Sequence, residues 1–333
     1  MPVLTRSTSV QLLRRWLPRL LGVSLSVVAV AVVGPRNVIA GLSAANPWLV
    51  AIAAVAVFPL LAPKARRWQI VLTDFGIALP WRDAFRFYAI GLWAAIVTPG
   101  QLGDGLKAWY VQSRGGNLAP ALASVIVDRL FDVLMLLCAA SVGLAIYGAA
   151  FGAQFLLVGV LTIVTLAGIG AAARPSVRRR AATLLPSAFR QRIGRLRWVA
   201  AVQGAHLSGA SLLRALGWSV VSFAATLARI YLCFRAVDVR LPLGTFIAVV
   251  GLSSLAGLLS VSGIGTRDWA LIALLGREGF GHDTALAASF LILFLNLTNI
   301  VPGLIAWYRD PVPMRKRMEA EPRDMLATPG ATP

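Results

Sequence analysis

Long uncharged apolar runs recur along this chain, and short stretches between them carry most of its charge. A membrane-spanning helix needs about 20 mostly apolar residues. Residues 37–63 form one span of generous length, and residues 133–173 run 41 positions without a charge. The second run is too long for one helix. The small-residue stretch Tyr147-Gly148-Ala149-Ala150-Phe151-Gly152 divides it, and the first of the two resulting spans begins near Ala119. Further spans are expected at about 212–234 and 284–308. The run 20–35, preceded by Arg14, Arg15 and Arg19, has the outline of a signal peptide but reads as an uncleaved first span, because more hydrophobic segments follow.

Two segments break this pattern. Residues 84–110 are interrupted at Thr98-Pro99-Gly100-Gln101-Leu102-Gly103-Asp104, and residues 243–275 at Ser260-Val261-Ser262-Gly263-Ile264-Gly265-Thr266-Arg267-Asp268. Each is an apolar arm, a Gly-rich break and a shorter arm. The shorter arms cannot span comfortably, and irregular backbone at membrane depth survives only where protein or water covers it. Both read as re-entrant hairpins. The expectation is an all-α polytopic membrane protein of about six full transmembrane helices plus two re-entrant hairpins. Residues 1–308 form its transmembrane domain, and 309–333, Pro-containing and without apolar periodicity, a disordered cytoplasmic tail. Residues 66–79, ending at Pro80-Trp81, are too short to span and are expected as an interfacial helix anchored by Trp and Arg.

Composition agrees with lipid as the solvent: 58% of the 333 residues are hydrophobic and 14% charged, against about a quarter charged in soluble domains. The charge is lopsided, with 32 Lys and Arg, 29 of them Arg, against 13 Asp and Glu. The basic residues cluster between apolar runs rather than interleaving with aromatics on a polar segment, so they read as loop charge and not as a nucleic-acid surface. With the basic loop 174–211, the adjoining Arg214 and both termini placed in the cytoplasm, 25 of the 32 basic residues lie inside, counting Lys64, Arg66, Arg67, Lys107 and Arg114 as loop charge. Cys138 and Cys233 lie in separate apolar runs and suggest neither a disulfide framework nor a metal site. No cofactor is expected.

This topology divides into two halves of span, span, hairpin, span, with the hairpins entering from opposite sides. Many transporters are built as such an inverted repeat, with discontinuous helices meeting near the midplane. Gly100-x-x-Gly103-Asp104 in one break matches Gly263-x-Gly265-x-x-Asp268 in the other, though Gly-rich apolar stretches also resemble one another by chance.

Charges inside a membrane cost about 2.5 to 3.5 kcal/mol each on insertion scales, so each needs a reason. Asp128, Arg129 and Asp132 share one helix. The two carboxylates lie four residues apart on one face, and Arg129 can pair with Asp132. The remaining carboxylate is left to meet Arg229, Arg267 or a substrate cation. The trio either lines a pathway or only locks helices together. A helix restarting after a Gly-rich break turns free N–H groups and a positive dipole end toward the gap, suited to an anionic oxygen such as a lipid phosphate. Lys107 and Arg267 would add charge there, with Asp104 and Asp268 orienting them or capping the following arm. No nucleophile elbow, phosphate-binding loop or Cys/His cluster appears, and His206 and His282 fall in expected loops.

Arg67-Trp68, Phe87-Tyr88, the stretch Thr98 to Asp104 with Lys107 and Tyr110, and Val127-Asp128-Arg129-Leu130-Phe131-Asp132 together resemble the lysylphosphatidylglycerol synthase transmembrane region family. That family includes the flippase part of the multiple peptide resistance factor and stand-alone membrane proteins, and the similarity runs through nearly all of residues 10–308. Its most specific features, the Pro-Gly-x-x-Gly-Asp stretch and an Arg in the next span, stand here at Pro99 to Asp104 and at Arg129. The resemblance departs at the second break, where the family pattern is Pro-Gly-Gly-x-Gly followed by Glu, and at Asn296, where an Arg is expected. The aminoacyl-transferase domain of the family's synthases has no counterpart in the sequence. The resemblance implies movement of an anionic phospholipid or lipid-linked intermediate between leaflets of a bacterial inner membrane, with phospholipid as partner and a separate lipid-modifying enzyme as a further one. A membrane-embedded transferase acting on lipid-linked substrates and a non-transporting scaffold are the alternative readings.

Overall fold

A computed structural model describes residues 45–148, 152–174, 206–257 and 266–310, together with Arg36 and Ser43. The expected span at 20–35, most of the basic loop, the tail beyond Asp310 and the second Gly-rich break, with Gly263 and Gly265, lie outside the described residues.

Eleven α-helices are described. Helices α1 (Pro47–Val55) and α2 (Val57–Asp74) form the first described span. Helix α3 (Trp81–Val97), a 3₁₀ turn (Pro99–Gly105) and α4 (Leu106–Ser113) form the first hairpin. Helices α5 (Leu118–Tyr147), α6 (Gly152–Ala173) and α7 (Gly209–Ala236) follow as long apolar helices. The second hairpin comprises α8 (Leu243–Gly257) and α9 (Thr266–Arg277), and α10 (His282–Thr298) with α11 (Ile300–Arg309) make the last span. Five of these units are long and apolar enough to cross a membrane, and the fold is an all-α polytopic membrane fold.

Local sequence sets the boundaries. Asn46, Asn117 and Ser208 cap α1, α5 and α7 by accepting from backbone N–H groups two or three residues on. The first span pauses at Ala56 because Pro59 has no N–H to offer the Val55 carbonyl, and the last span pauses at Asn299 because Pro302 likewise offers none to Thr298. Gly76, at φ +78°, ends α2 in a left-handed turn in which Ile77 N–H bonds the Leu72 carbonyl.

The first span differs from expectation. Residues 66–74 are not an interfacial helix: α2 runs unbroken through Pro63 to Asp74, with Arg67 and Trp68 fully buried. The charged pair Arg66-Arg67 suggested a loop, yet Leu61, Lys64, Arg67, Trp68 and Leu72 recur at helical spacing and form one face. The polar members of that face are buried against other polar groups instead of meeting water. His282, expected in a loop, opens α10.

Contacts at the helix ends show which ends share a face of the bundle. On one face, Asp74 accepts from Ser208 N–H at 2.7 Å and Ser211 Oγ at 2.9 Å, and Leu207 N–H bonds the Ala172 carbonyl. Both open ends of the first hairpin lie there, tied through Arg86 and Arg114 to Asp83 and Asp310. On the opposite face, Asn46 N–H bonds the Ala236 carbonyl, and Tyr147 Oη donates to Glu278 at the end of the second hairpin. The hairpins therefore enter from opposite sides. Each packs on the last span of the other half, α8 on α5 and α3 on α11. Glycines permit both approaches: a Cβ on Gly251 would overlap the backbone of Ala139, and one on Gly303 the carbonyl of Ala89.

Candidate functional site

Beside the first hairpin, α2, the 3₁₀ turn, α4 and α5 bring together four cations and three carboxylates, leaving one positive charge in excess. Arg67 pairs through Nε with Asp128 at 2.7 Å and through Nη1 with Asp132 at 2.9 Å, and Nη1 also reaches Ser219 Oγ on α7 at 3.3 Å. Lys64 meets Asp132 at 2.9 Å. Lys107 lies 3.0 Å from both Asp104 and Asp128. Arg129 donates to Asp104 at 2.7 Å and lies 3.8 Å from Asp132.

The hairpin is shaped to deliver its two charges. Thr98 Oγ1 donates to the Ala94 carbonyl and accepts from Gly103 N–H, folding the turn back against the end of α3. A side chain at Gly103 would collide with that same carbonyl and hydroxyl. Pro99 and Gly100 form the start of the turn. Asp104 is not a helix cap, because α4 starts after Gly105 with no side-chain cap. Its carboxylate turns to Lys107 and Arg129 instead. Gly91 on α3 leaves space for the Asp104 and Lys107 side chains beside it.

Burial grades across the cluster. The side chains of Arg67, Lys107 and Asp128 are 0% exposed, whereas Lys64, Asp132 and Arg129 are 18%, 21% and 28% exposed. One edge therefore opens outward while the centre is sealed. Aromatic faces back the centre: Lys107 Nζ lies 4.3 Å from the Tyr88 ring centroid and 5.3 Å from that of Trp68, and Arg67 sits 5.8 Å from the Phe131 ring. Among the described residues, Arg67 Nη2 and Asp104 Oδ1 have no hydrogen-bond partner. The cluster thus holds a spare guanidinium donor and a spare carboxylate acceptor.

Sequence spacing placed Asp128, Arg129 and Asp132 together and paired Arg129 with Asp132, which lie 3.8 Å apart, but missed the closer partners of the carboxylates. These are Arg67, Lys107 and Lys64, not Arg229 or Arg267. Lys64 and Arg67 were missed as site residues because they were counted as loop charge; their stripe along α2 was the available signal. Lys107, also counted as loop charge, is sealed inside.

The second hairpin carries a smaller polar group. Arg267 pairs with Asp268 at 3.1 Å, Asp268 accepts from Ser289 Oγ on α10 at 2.5 Å, and Thr266 Oγ1 donates back to the Ala256 carbonyl. Arg229 lies apart from both groups at the pauses in the first and last spans. It donates to the Ala53 carbonyl at 2.9 Å, Asn299 Oδ1 at 2.8 Å and Thr298 Oγ1 at 2.8 Å. Asn296 is half-buried on α10, one turn before Asn299, and its carbonyl accepts from Asn299 N–H.

A search among curated proteins finds no match to this chain. A family profile described as the lysylphosphatidylglycerol synthase TM region matches residues 19–305, which contain both hairpins, the whole charge cluster and every described span except the last four residues of the final one. This chain is a multi-pass membrane protein and belongs to that family.

Proposed function

We propose that the protein is a lipid flippase: a transporter that moves an anionic phospholipid or lipid-linked intermediate between the leaflets of a bacterial inner membrane, carrying out no chemical step itself. Both termini and the basic loop lie in the cytoplasm, which puts the entrance of the first hairpin on the cytoplasmic side. The observation that carries this reading is the buried cluster around Asp104, Lys107, Asp128 and Arg129, with one positive charge in excess and one edge open at Lys64, Arg129 and Asp132. A purely structural ion-pair lock gains nothing from excess charge or from an open edge. An anionic headgroup would complete the balance, and charge-assisted hydrogen bonds from Arg would hold its phosphate.

Opposed hairpins, each seated on the other half's last span, supply a scaffold in which one half rocks against the other around the site. Reconstitution into liposomes with fluorescent anionic and zwitterionic lipids, followed by dithionite quenching, tests the reading. Selective exchange of anionic lipid, lost in Arg129→Ala, is expected. A folded protein that exchanges none of the lipids would defeat it and turn the search to a modified lipid product or a bound partner.

A further inference from the structure

The first described span and α7 are each 28 residues long, Pro47–Asp74 and Gly209–Ala236, and they hold the same place in the two halves. Arg67 is residue 21 of the first, and Arg229 is residue 21 of the second. Each precedes the end of its helix by seven residues, or roughly 10 Å at 1.5 Å per residue. Since the helices end on opposite faces, the two buried guanidiniums lie at equivalent depths from opposite sides. Their surroundings differ. Arg67 is held by two carboxylates. Arg229, only 4% exposed, is held by neutral oxygens alone, from Ala53, Leu295, Thr298 and Asn299.

Among the described residues no carboxylate lies within ion-pair distance of Arg229, and outside them the only acids in the sequence are Glu319, Glu321 and Asp324 of the tail. Hydrogen bonds occupy four of its five N–H donors, leaving one on Nη1. Neutral oxygens satisfy geometry without cancelling charge, and an uncompensated charge at membrane depth is disfavoured. We propose that Arg229 is a second anion-binding site, which takes a phosphate oxyanion on the side of the membrane opposite the first cluster. It rests on the flippase reading and deepens it: a headgroup leaving the first site has a second station beyond the midplane. The pauses created by Pro59 and Pro302 lie beside Arg229, whose partners Ala53, Thr298 and Asn299 flank them.

Asn299→Asp is the decisive variant, since it gives Arg229 an internal carboxylate of nearly unchanged shape. The full-length protein in phosphatidylcholine nanodiscs is probed at high salt with spin-labelled phosphatidylglycerol against spin-labelled phosphatidylcholine, and by thermal unfolding. The wild type is expected to hold two anionic lipids selectively per chain. Asn299→Asp should unfold at a higher temperature yet hold half as many, and Arg229→Gln should give the same twofold fall, whereas Arg229→Lys keeps both lipids. If inorganic phosphate instead protects the wild type from unfolding and not Asn299→Asp, the site stands and its ligand is the free anion. An Asn299→Asp protein that keeps both lipids and its full response to phosphate overturns the Arg229 site while leaving the first cluster standing. A wild type that neither prefers phosphatidylglycerol nor responds to phosphate overturns both.

Discussion

Arg129, the twelfth of the 30 residues of α5, donates through Nε to Asp104 Oδ2 at 2.7 Å, so the turn of the first hairpin is held to a full span by a charged hydrogen bond. Removing one member of a buried pair leaves the other uncompensated, at a cost of about 3 to 5 kcal/mol. Asp104→Asn also raises the excess charge of the cluster from one to two. The expected outcome is a lower unfolding temperature in detergent and a fall in lipid exchange of at least tenfold. Because the nearly isosteric Asn keeps the packing, a variant with unchanged unfolding would show that the pair is not needed for stability.

Arg67 and Asp128 are the sealed heart of the cluster. Arg67→Met alone strands Asp128 with only Lys107 and should destabilise by about 3 to 5 kcal/mol. Pairing it with Asp128→Leu should recover much of that loss, since apolar replacement of both partners of a buried pair is often neutral. Lipid exchange should not return. Unfolding and exchange measured on the single and double variants separate the two contributions, and recovery of both would reduce the pair to a structural lock.

Gly251 and Gly303 sit where the hairpins meet the opposite half, and a methyl group at either overlaps backbone rather than a flexible side chain. Gly251→Ala and Gly303→Ala should each cost about 1 to 3 kcal/mol by overpacking. Gly159→Ala, with open space around it, should behave as wild type. Thermal unfolding of the three proteins side by side is the measurement.

At the entrance of the first hairpin, Asp310 meets Arg86 at 2.9 Å and Arg114 at 3.6 Å, with half-exposed side chains. Exposed pairs contribute at most about 1 kcal/mol and are screened by salt. Asp310→Asn should therefore lower the unfolding temperature slightly at low salt and leave it unchanged at high salt. The backbone bond from Tyr110 Oη to the Asp310 carbonyl survives this change, so Tyr110→Phe should show an effect that salt does not remove.

Long apolar runs and Gly-rich breaks made the spans and hairpins legible, because membrane length and backbone satisfaction leave few other ways to use such segments. Asp128, Arg129 and Asp132 were legible as a group because one helix joins them. Their partners were not: Lys64 and Arg67 lie 61 to 68 residues away, and local hydropathy at Arg66-Arg67 resembles the end of a span. Which of two neighbouring arginines turns inward depends on helical phase, and Pro63 concealed that the helix continues. The equivalence of Arg67 and Arg229 also escaped the reading of the halves, which compared only the Gly-rich breaks.

The exchange of partners between the halves constrains the order in which the chain can be built. The first hairpin rests on α11, where the tilted rings of Trp93 and Trp307 pack with centroids 5.2 Å apart, so some 200 residues are synthesised between the hairpin and its support. Until α11 emerges, the face of α3 at Ala89 and Trp93 lacks the helix that packs on it. Packing of the first hairpin against its support is therefore completed only once the last described helix of the chain has been inserted.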